Sequence, residues 1–185
     1  YSDAAKRAQA YRDVLEEEGI SFDSHWFFQG DYSVEAGIYV VSELDRMHRI
    51  PEAIICANDC MAAGAIMELQ NRGYRVPEDI IVTGFDNVPV AKDNSPKITT
   101  VDCARKTMGY RACEYLMTKT AKEIQELCVQ IPTTQIYSES CGCESEGRDD
   151  GRELKRRLIR QTAKTKDYQK RMNEVFNSFM KSKKV

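Results

Sequence analysis

Apolar and polar positions follow two rhythms along this chain, and the change of rhythm is clearest between Glu52 and Ala91. Ala53 to Ala57 is a short, mostly apolar run of the kind a parallel strand buried on both faces carries, and it stops at the polar pair Asn58-Asp59. Beyond it, Met61, Ala62, Ala65, Ile66 and Leu69 recur at helical spacing, with Gly73 and Pro77 marking the helix end and the return loop. A second apolar run, Ile80-Ile81-Val82, halts at Gly84-Phe85-Asp86-Asn87. Strand, helix, strand at this spacing predicts the right-handed crossover unit of a parallel sheet, and so an α/β fold. Open sheets of this kind bind ligands beyond the carboxyl ends of their strands, which makes Asn58, Asp59, Asp86 and Asn87 the first candidate site residues. Asp59 has a competing reading as the N-cap of a helix starting at Cys60, and it is the favoured one, since Asp is a preferred cap. Asp86 and Asn87 have a competing reading as a turn before Pro89.

The flanks carry further elements. Asp3 to Gly19 predicts an amphipathic helix with Ala4, Ala8, Tyr11, Val14 and Leu15 on one side and Gly19 as its stop. Phe22 to Gln29, rich in aromatics, predicts a strand. Ser33 or Asp31 caps a helix from Val34 to Met47, with Ile38, Val41 and Leu44 on its apolar side. Ile98 to Val101 is a short β-branched strand. Arg105 to about Thr118 is a helix whose spacing buries Met108, Ala112, Tyr115 and Leu116. Leu127 to Ile131 and Gln135 to Tyr137 are strand-like runs around Pro132, the latter an edge strand.

Composition narrows the class. Among 185 residues, 42% are hydrophobic and 30% charged, the balance of a globular protein with one ordinary core or one domain plus an extension. No run approaches the roughly 18 apolar residues a membrane span needs, and YSDAAKRAQ lacks the pattern of a signal peptide. A start at Tyr1 rather than methionine is read as a fragment. Seven cysteines, an odd number, are scattered through the chain, several of them in apolar strand or helix contexts, and fit reduced thiols in a cytoplasmic protein. The net charge of −2 conceals an asymmetry: from Gly147 onward there are 13 Lys/Arg against 5 Asp/Glu, and before it 14 against 24. The acidic body offers no nucleic-acid surface, so no direct nucleic-acid contact is expected from this segment.

The combination CANDCMAAGA, RGYRVPEDIIVTGFDN and SPKITTV, in that order and spacing, resembles the regulatory core of LacI/GalR repressors, which is similar to a type 1 periplasmic sugar-binding protein. The resemblance covers most of Ala4 to Tyr137. It implies two Rossmann-like lobes closing on a small polar ligand, sugar-like or nucleoside-like, with this chain supplying one lobe and lacking the N-terminal one. It also implies ligand-binding roles by position. Arg7 is similar in place to an arginine that grips ligand hydroxyls, Tyr32 to an aromatic that stacks on a ligand ring, and Asn58 and Asp86 to polar residues at the strand ends. Cys103 stands where many relatives carry an amide or other polar group. Ala10 replaces a usual glycine. The helix beginning near Cys103, within residues 103–126, belongs by family topology to the other lobe, so its apolar face loses its natural partner here.

The C-terminal part suggests an output. Residues 144–151 read as a polar linker. Residues 152–185 read as a long helix whose Leu154, Leu158, Gln161, Thr165, Tyr168, Met172, Val175 and Phe179 alternate steps of four and three, a coiled-coil seam that predicts a parallel homodimer. A long amphipathic helix folded back on the body is the alternative. Cys141 and Cys143 are read first as a packed turn ending the domain, ahead of metal binding or a redox pair, because a closed zinc site needs four ligands. His25 and His48 lack ligand-spaced partners. No nucleophile-base pair, phosphate loop or metal triad is present, so the expectation is a non-enzymatic protein without cofactor or metal. The main functional reading is a ligand sensor signalling through its C-terminal helix to an output domain. The alternative is the effector-binding core of a LacI/GalR-type repressor.

Overall fold

The computed structural model describes residues 2–125 and 128–143. Helix α1 (Ser2–Glu17) leads, followed by a single 3-10 turn (Ser24–Trp26), then α2 (Val34–Arg46), β1 (Ala53–Ile55), α3 (Asp59–Asn71), β2 (Ile81–Thr83) and α4 (Pro89–Asp93). Next come β3 (Thr100–Asp102), α5 (Arg105–Thr118), α6 (Ala121–Gln125), β4 (Thr134–Ile136) and a closing 3-10 turn (Glu139–Cys141). The expected linker 144–151 and helix 152–185, together with Leu127, lie outside the described residues.

The crossover unit forms as its pattern predicts. β1 and β2 pair in parallel, Ile54 opposite Val82, and the ladder continues through a parallel bridge between Thr83 and Thr99. The amides of Gly84 and Asp86 donate to the carbonyls of Thr99 and Val101 at 2.8 and 3.0 Å, extending β2 alongside β3. β4 closes the far edge antiparallel to β3, with Val101 opposite Gln135. The period-2 alternation divides the strands between two cores. Ile54 and Val82 face the larger one, with Val41, Ala62, Ile66, Leu69 and Ile98 from the helices and the loop before β3. Ala53, Ile55 and Ile81 face the other, with Phe85, Val101, Cys141, Cys143 and Tyr11. Covering on both faces is what a parallel sheet requires.

Helices α2 and α3 pack almost backbone to backbone. A Cβ on Gly37 would lie 2.1 Å from the Met61 carbonyl oxygen, and one on Gly64 would lie 2.0 Å from that of Val34. The Ser33 hydroxyl caps α2 by accepting from the Ala36 amide.

Three expectations are corrected. Phe22 to Gln29 does not form a strand: Asp23 accepts from the His25 amide and starts a 3-10 turn, and no described strand lies beside it. Phe22 and Phe27 instead pack toward α1, with the Arg12 guanidinium 4.9 Å from the Phe22 ring and 5.0 Å from that of Phe27, while Trp26 lies against the Arg49 guanidinium. The described part of the Leu127–Ile131 run is likewise irregular, and strand pairing begins only at Thr134. Helix α5 forms where expected but buries none of its residues: Met108 is 49% and Leu116 70% exposed, Ala112 is exposed and Tyr115 only half-buried. Spacing marks an apolar face but not whether another surface covers it.

Candidate functional site

The carboxyl ends of β1, β2 and β3 open on one side of the sheet, and the loops that follow them hold the candidate residues. After β1 the chain enters α3 through Asn58, whose Oδ1 accepts from the Met61 amide at 2.9 Å. Asn58, not Asp59, is therefore the N-cap, which corrects the favoured sequence reading of Asp59. The Asn58 amide group also donates to the Tyr32 carbonyl at 2.9 Å, tying this loop to the start of α2.

Asp59 is fully buried and acts as a tie between loops. Its Oδ1 accepts from the Thr100 hydroxyl at 2.6 Å and its Oδ2 from the Val88 amide at 2.8 Å. Burial pushes its carboxyl pKa up, only partly offset by the Thr100 and Val88 hydrogen bonds. Sequence spacing favoured a cap because a cap is local, whereas Thr100 lies 41 residues away.

The turn after β2 is held in an unusual backbone state. Asp86 has φ 97° and Asn87 φ 51°, the left-handed region that non-glycine residues enter at a cost of about 1 kcal/mol or more each. Three successive amides fix it: Asp86 N donates to Val101 O at 3.0 Å, Asn87 N to Thr100 Oγ1 at 3.3 Å, and Val88 N to Asp59. Tyr32 at φ 69° and Ala104 at φ 50° adopt the same region on neighbouring loops. Four of the five described non-glycine residues at positive φ thus lie on loops around this end of the sheet, His48 after α2 being the exception.

Side chains from five loops or elements meet there. Arg7 reaches from α1: its Nη1 donates to the Ala57 carbonyl at 2.6 Å, its Nη2 lies 3.4 Å from Asp86 Oδ1, and its Cζ sits 4.1 Å from the centre of the Phe85 ring. The guanidinium is anchored mainly by the carbonyl and the ring face, so the longer Asp86 contact does not consume that carboxylate. Cys103 Sγ, from the loop after β3, lies 3.7 Å from the same Oδ1. Asp86 Oδ2 has no hydrogen-bond partner among the described residues, and the side chain keeps 28% exposure. Nearby, Asn87 Nδ2 donates to Asp102 Oδ2 at 3.2 Å and Arg105 Nη2 to the Asn87 carbonyl at 3.0 Å.

Of the five residues singled out for ligand contact, Asp86 touches both Arg7 and Cys103, and Tyr32 and Asn58 form a second pair joined to them through Ala57. Tyr32 also packs partly against the larger core. Phe85 and Arg105 were not singled out. An aromatic directly before Asp86 was the available signal for the first; nothing local marked Arg105.

The Periplasmic binding protein-like domain family matches residues 1–141. The chain belongs to this family. Its curated relatives include the HTH-type transcriptional repressor PurR of Mannheimia succiniciproducens, 35% identical over 138 residues, which are 74% of this chain and 41% of that protein. Similar solved structures include a LacI-type transcription regulator from Bifidobacterium animalis subsp. lactis, with a TM-score of 0.63 at 33% identity over 72% of this chain and 48% of that one. Another is the transcriptional regulator CelR in complex with cellobiose, with a TM-score of 0.63 at 29% identity over 74% of this chain and 42% of that one. The chain is a LacI/GalR-type, periplasmic-binding-protein-like domain that spans less than half the length of these relatives.

Proposed function

We propose that residues 1–143 form one lobe of the effector-binding domain of a LacI/GalR-type transcription regulator, taking a small polar ligand, sugar-like or nucleoside-like, at the carboxyl ends of β1, β2 and β3. The observation that carries this reading is the convergence of Arg7, Tyr32, Asn58, Asp86 and Cys103 on one end of the sheet beside a strained, fully tied turn. Asp86 presents acceptor lone pairs for ligand hydroxyls or N–H groups, Arg7 presents planar donors, and the Tyr32 ring offers a face for a sugar C–H surface or a base. The cellobiose bound to CelR supports the sugar-like half of that class. A second lobe completes the cleft, and the ligand shifts the regulator by binding its closed state more tightly than its open one. The relatives named above are transcription regulators, and the proposed site binds its ligand without a catalytic step.

A second reading is favoured by one observation, the four-and-three spacing of the seam from Leu154 to Phe179, apolar except at Gln161 and Thr165. It places a signalling helix after the lobe, passing cleft closure to a downstream output domain through a parallel homodimer. The test of the shared site is a thermal-shift screen of mono- and disaccharides and nucleosides on the protein carrying both lobes. A compound that raises the melting temperature is expected, with the rise abolished in Arg7→Ala. A rise unchanged by that substitution contradicts the assigned site.

A further inference from the structure

Seven cysteines remain thiols in the fold, and two of them form a pair that the ligand reading does not use. Cys141 and Cys143 flank Gly142 in the last described turn. Gly142 has φ 83°, a left-handed conformation that a side chain would strain, and it lets the chain fold both flanking thiols into the same core. Their sulfurs lie 3.2 Å apart, and the Cys141 thiol also reaches the Ser138 carbonyl at 3.0 Å. The turn is bolted to the sheet. Ser140 Oγ donates to Val82 O at 2.6 Å and accepts from Thr99 N at 2.8 Å, Ser140 N donates to Lys97 O at 2.9 Å, and Ser138 N donates to Thr99 Oγ1 at 2.9 Å.

We infer that Cys141 and Cys143 constitute a vicinal dithiol modification site, which hydroperoxides convert to an intrachain disulfide. The geometry needs only a closure of the sulfurs from 3.2 Å to about 2.0 Å. The chemistry of two of the three buried thiols, Cys141 and Cys56, differs sharply. The Cys143 thiol, helped by Thr99, holds Cys141 down to about 7 in spite of burial, whereas burial pushes Cys56 up to about 12. At neutral pH the nucleophilic thiolate is therefore present at Cys141 and absent at Cys56.

The reaction balances in two steps. The Cys141 thiolate attacks one oxygen of the hydroperoxide, forming S–O and breaking O–O. The leaving alkoxide or hydroxide takes up the proton that Cys141 released on ionising, and Cys141 becomes a sulfenic acid. The Cys143 sulfur then attacks the Cys141 sulfur, forming S–S and breaking S–O; the departing hydroxide leaves as water with the Cys143 proton. Two thiols lose two electrons in total, and one hydroperoxide is reduced to an alcohol, or to water, plus water. Cys141 is 1% and Cys143 3% exposed, so the rate of the first step follows local opening of the 138–143 turn rather than unfolding of the sheet.

The experiment treats the reduced 185-residue chain with hydrogen peroxide at neutral pH. It is then denatured, alkylated and mapped by peptide mass spectrometry, with circular dichroism followed in parallel. The expected product is a peptide containing Cys141 and Cys143 that has lost two hydrogens, resists alkylation and is restored by dithiothreitol, while Cys56 stays alkylatable and the dichroism spectrum is unchanged. In Cys143→Ser the sulfenic acid at Cys141 accumulates and is trapped by dimedone. The inference is overturned if both thiols are still alkylated, after denaturation, in protein that met the peroxide while folded and in which the exposed Cys113 and Cys128 were oxidised. It is equally overturned if the disulfide appears only in step with loss of the dichroism signal.

Discussion

At the scale of single residues, the site depends on Asp59 as much as on the groups that face solvent. Its carboxylate satisfies the Val88 amide and the Thr100 hydroxyl, and through them it fixes the turn that aims Asp86. Truncation in Asp59→Ala leaves the buried Thr100 hydroxyl and the part-buried Val88 amide without this acceptor, so a loss of about 2–4 kcal/mol is expected in urea unfolding. The isosteric Asp59→Asn tests the electrostatics separately. Burial raises the folded pKa of Asp59 above the ordinary 3.8, so the unfolded chain releases this proton first as pH rises. The corresponding stability is complete below the unfolded value and is lost as pH rises through the folded one. Unfolding titrations from about pH 3 to pH 8 are expected to show that decline in the wild type and a flatter curve in Asp59→Asn. Matching slopes would count against a raised pKa at this position.

At the scale of elements, the α2–α3 contact sets how far apart the Tyr32 and Asn58 loops stand. Gly64→Ala drives a methyl into the Val34 carbonyl, and a loss of about 3 kcal/mol is expected, read as a fall in melting temperature; an unchanged melt would show that the helices part freely. Local pattern was a good guide to such elements. The β1–α3–β2 unit, α1, α2 with its Ser33 cap, and the edge position of β4 follow from periodicity and capping residues within a few positions of each other. Features set by distant partners were not legible. Asn58 and Asp59 are both good caps on paper, and only Thr100 and Val88 decide which one is free to serve. The aromatic run from Phe22 has strand propensity, yet a strand needs a neighbour to bond, and the Phe22 and Phe27 rings settle against Arg12 instead. The apolar spacing of α5 meets no described partner and stays exposed. The grouping of Arg7 with Asp86 came from family resemblance and not from pattern, because the two are 79 residues apart.

At the scale of the whole molecule, this chain spans less than half the length of its LacI-type relatives, and in the function we propose a second lobe would complete the cleft. The 185-residue chain alone is therefore expected to bind sugars or nucleosides weakly or not at all; tight one-to-one binding in calorimetry would show that one lobe suffices. The seam from Leu154 to Phe179 predicts a dimer, seen as a mass that rises with concentration in ultracentrifugation. A monomer mass at every concentration would set the signalling-helix reading aside. No helix among the described residues is long and apolar enough to cross a membrane.

The central claim is that the ends of the parallel strands form one ligand site organised by Asp86. Its most direct test compares wild type and Asp86→Ala in the protein carrying both lobes, by thermal shift with a saccharide or nucleoside that stabilises the wild type. The account predicts a folded Asp86→Ala protein, its ligand-free melting temperature lowered modestly because Ala suits φ 97° less well than Asp, and a ligand-induced rise in the wild type alone. The same rise in both proteins would contradict it.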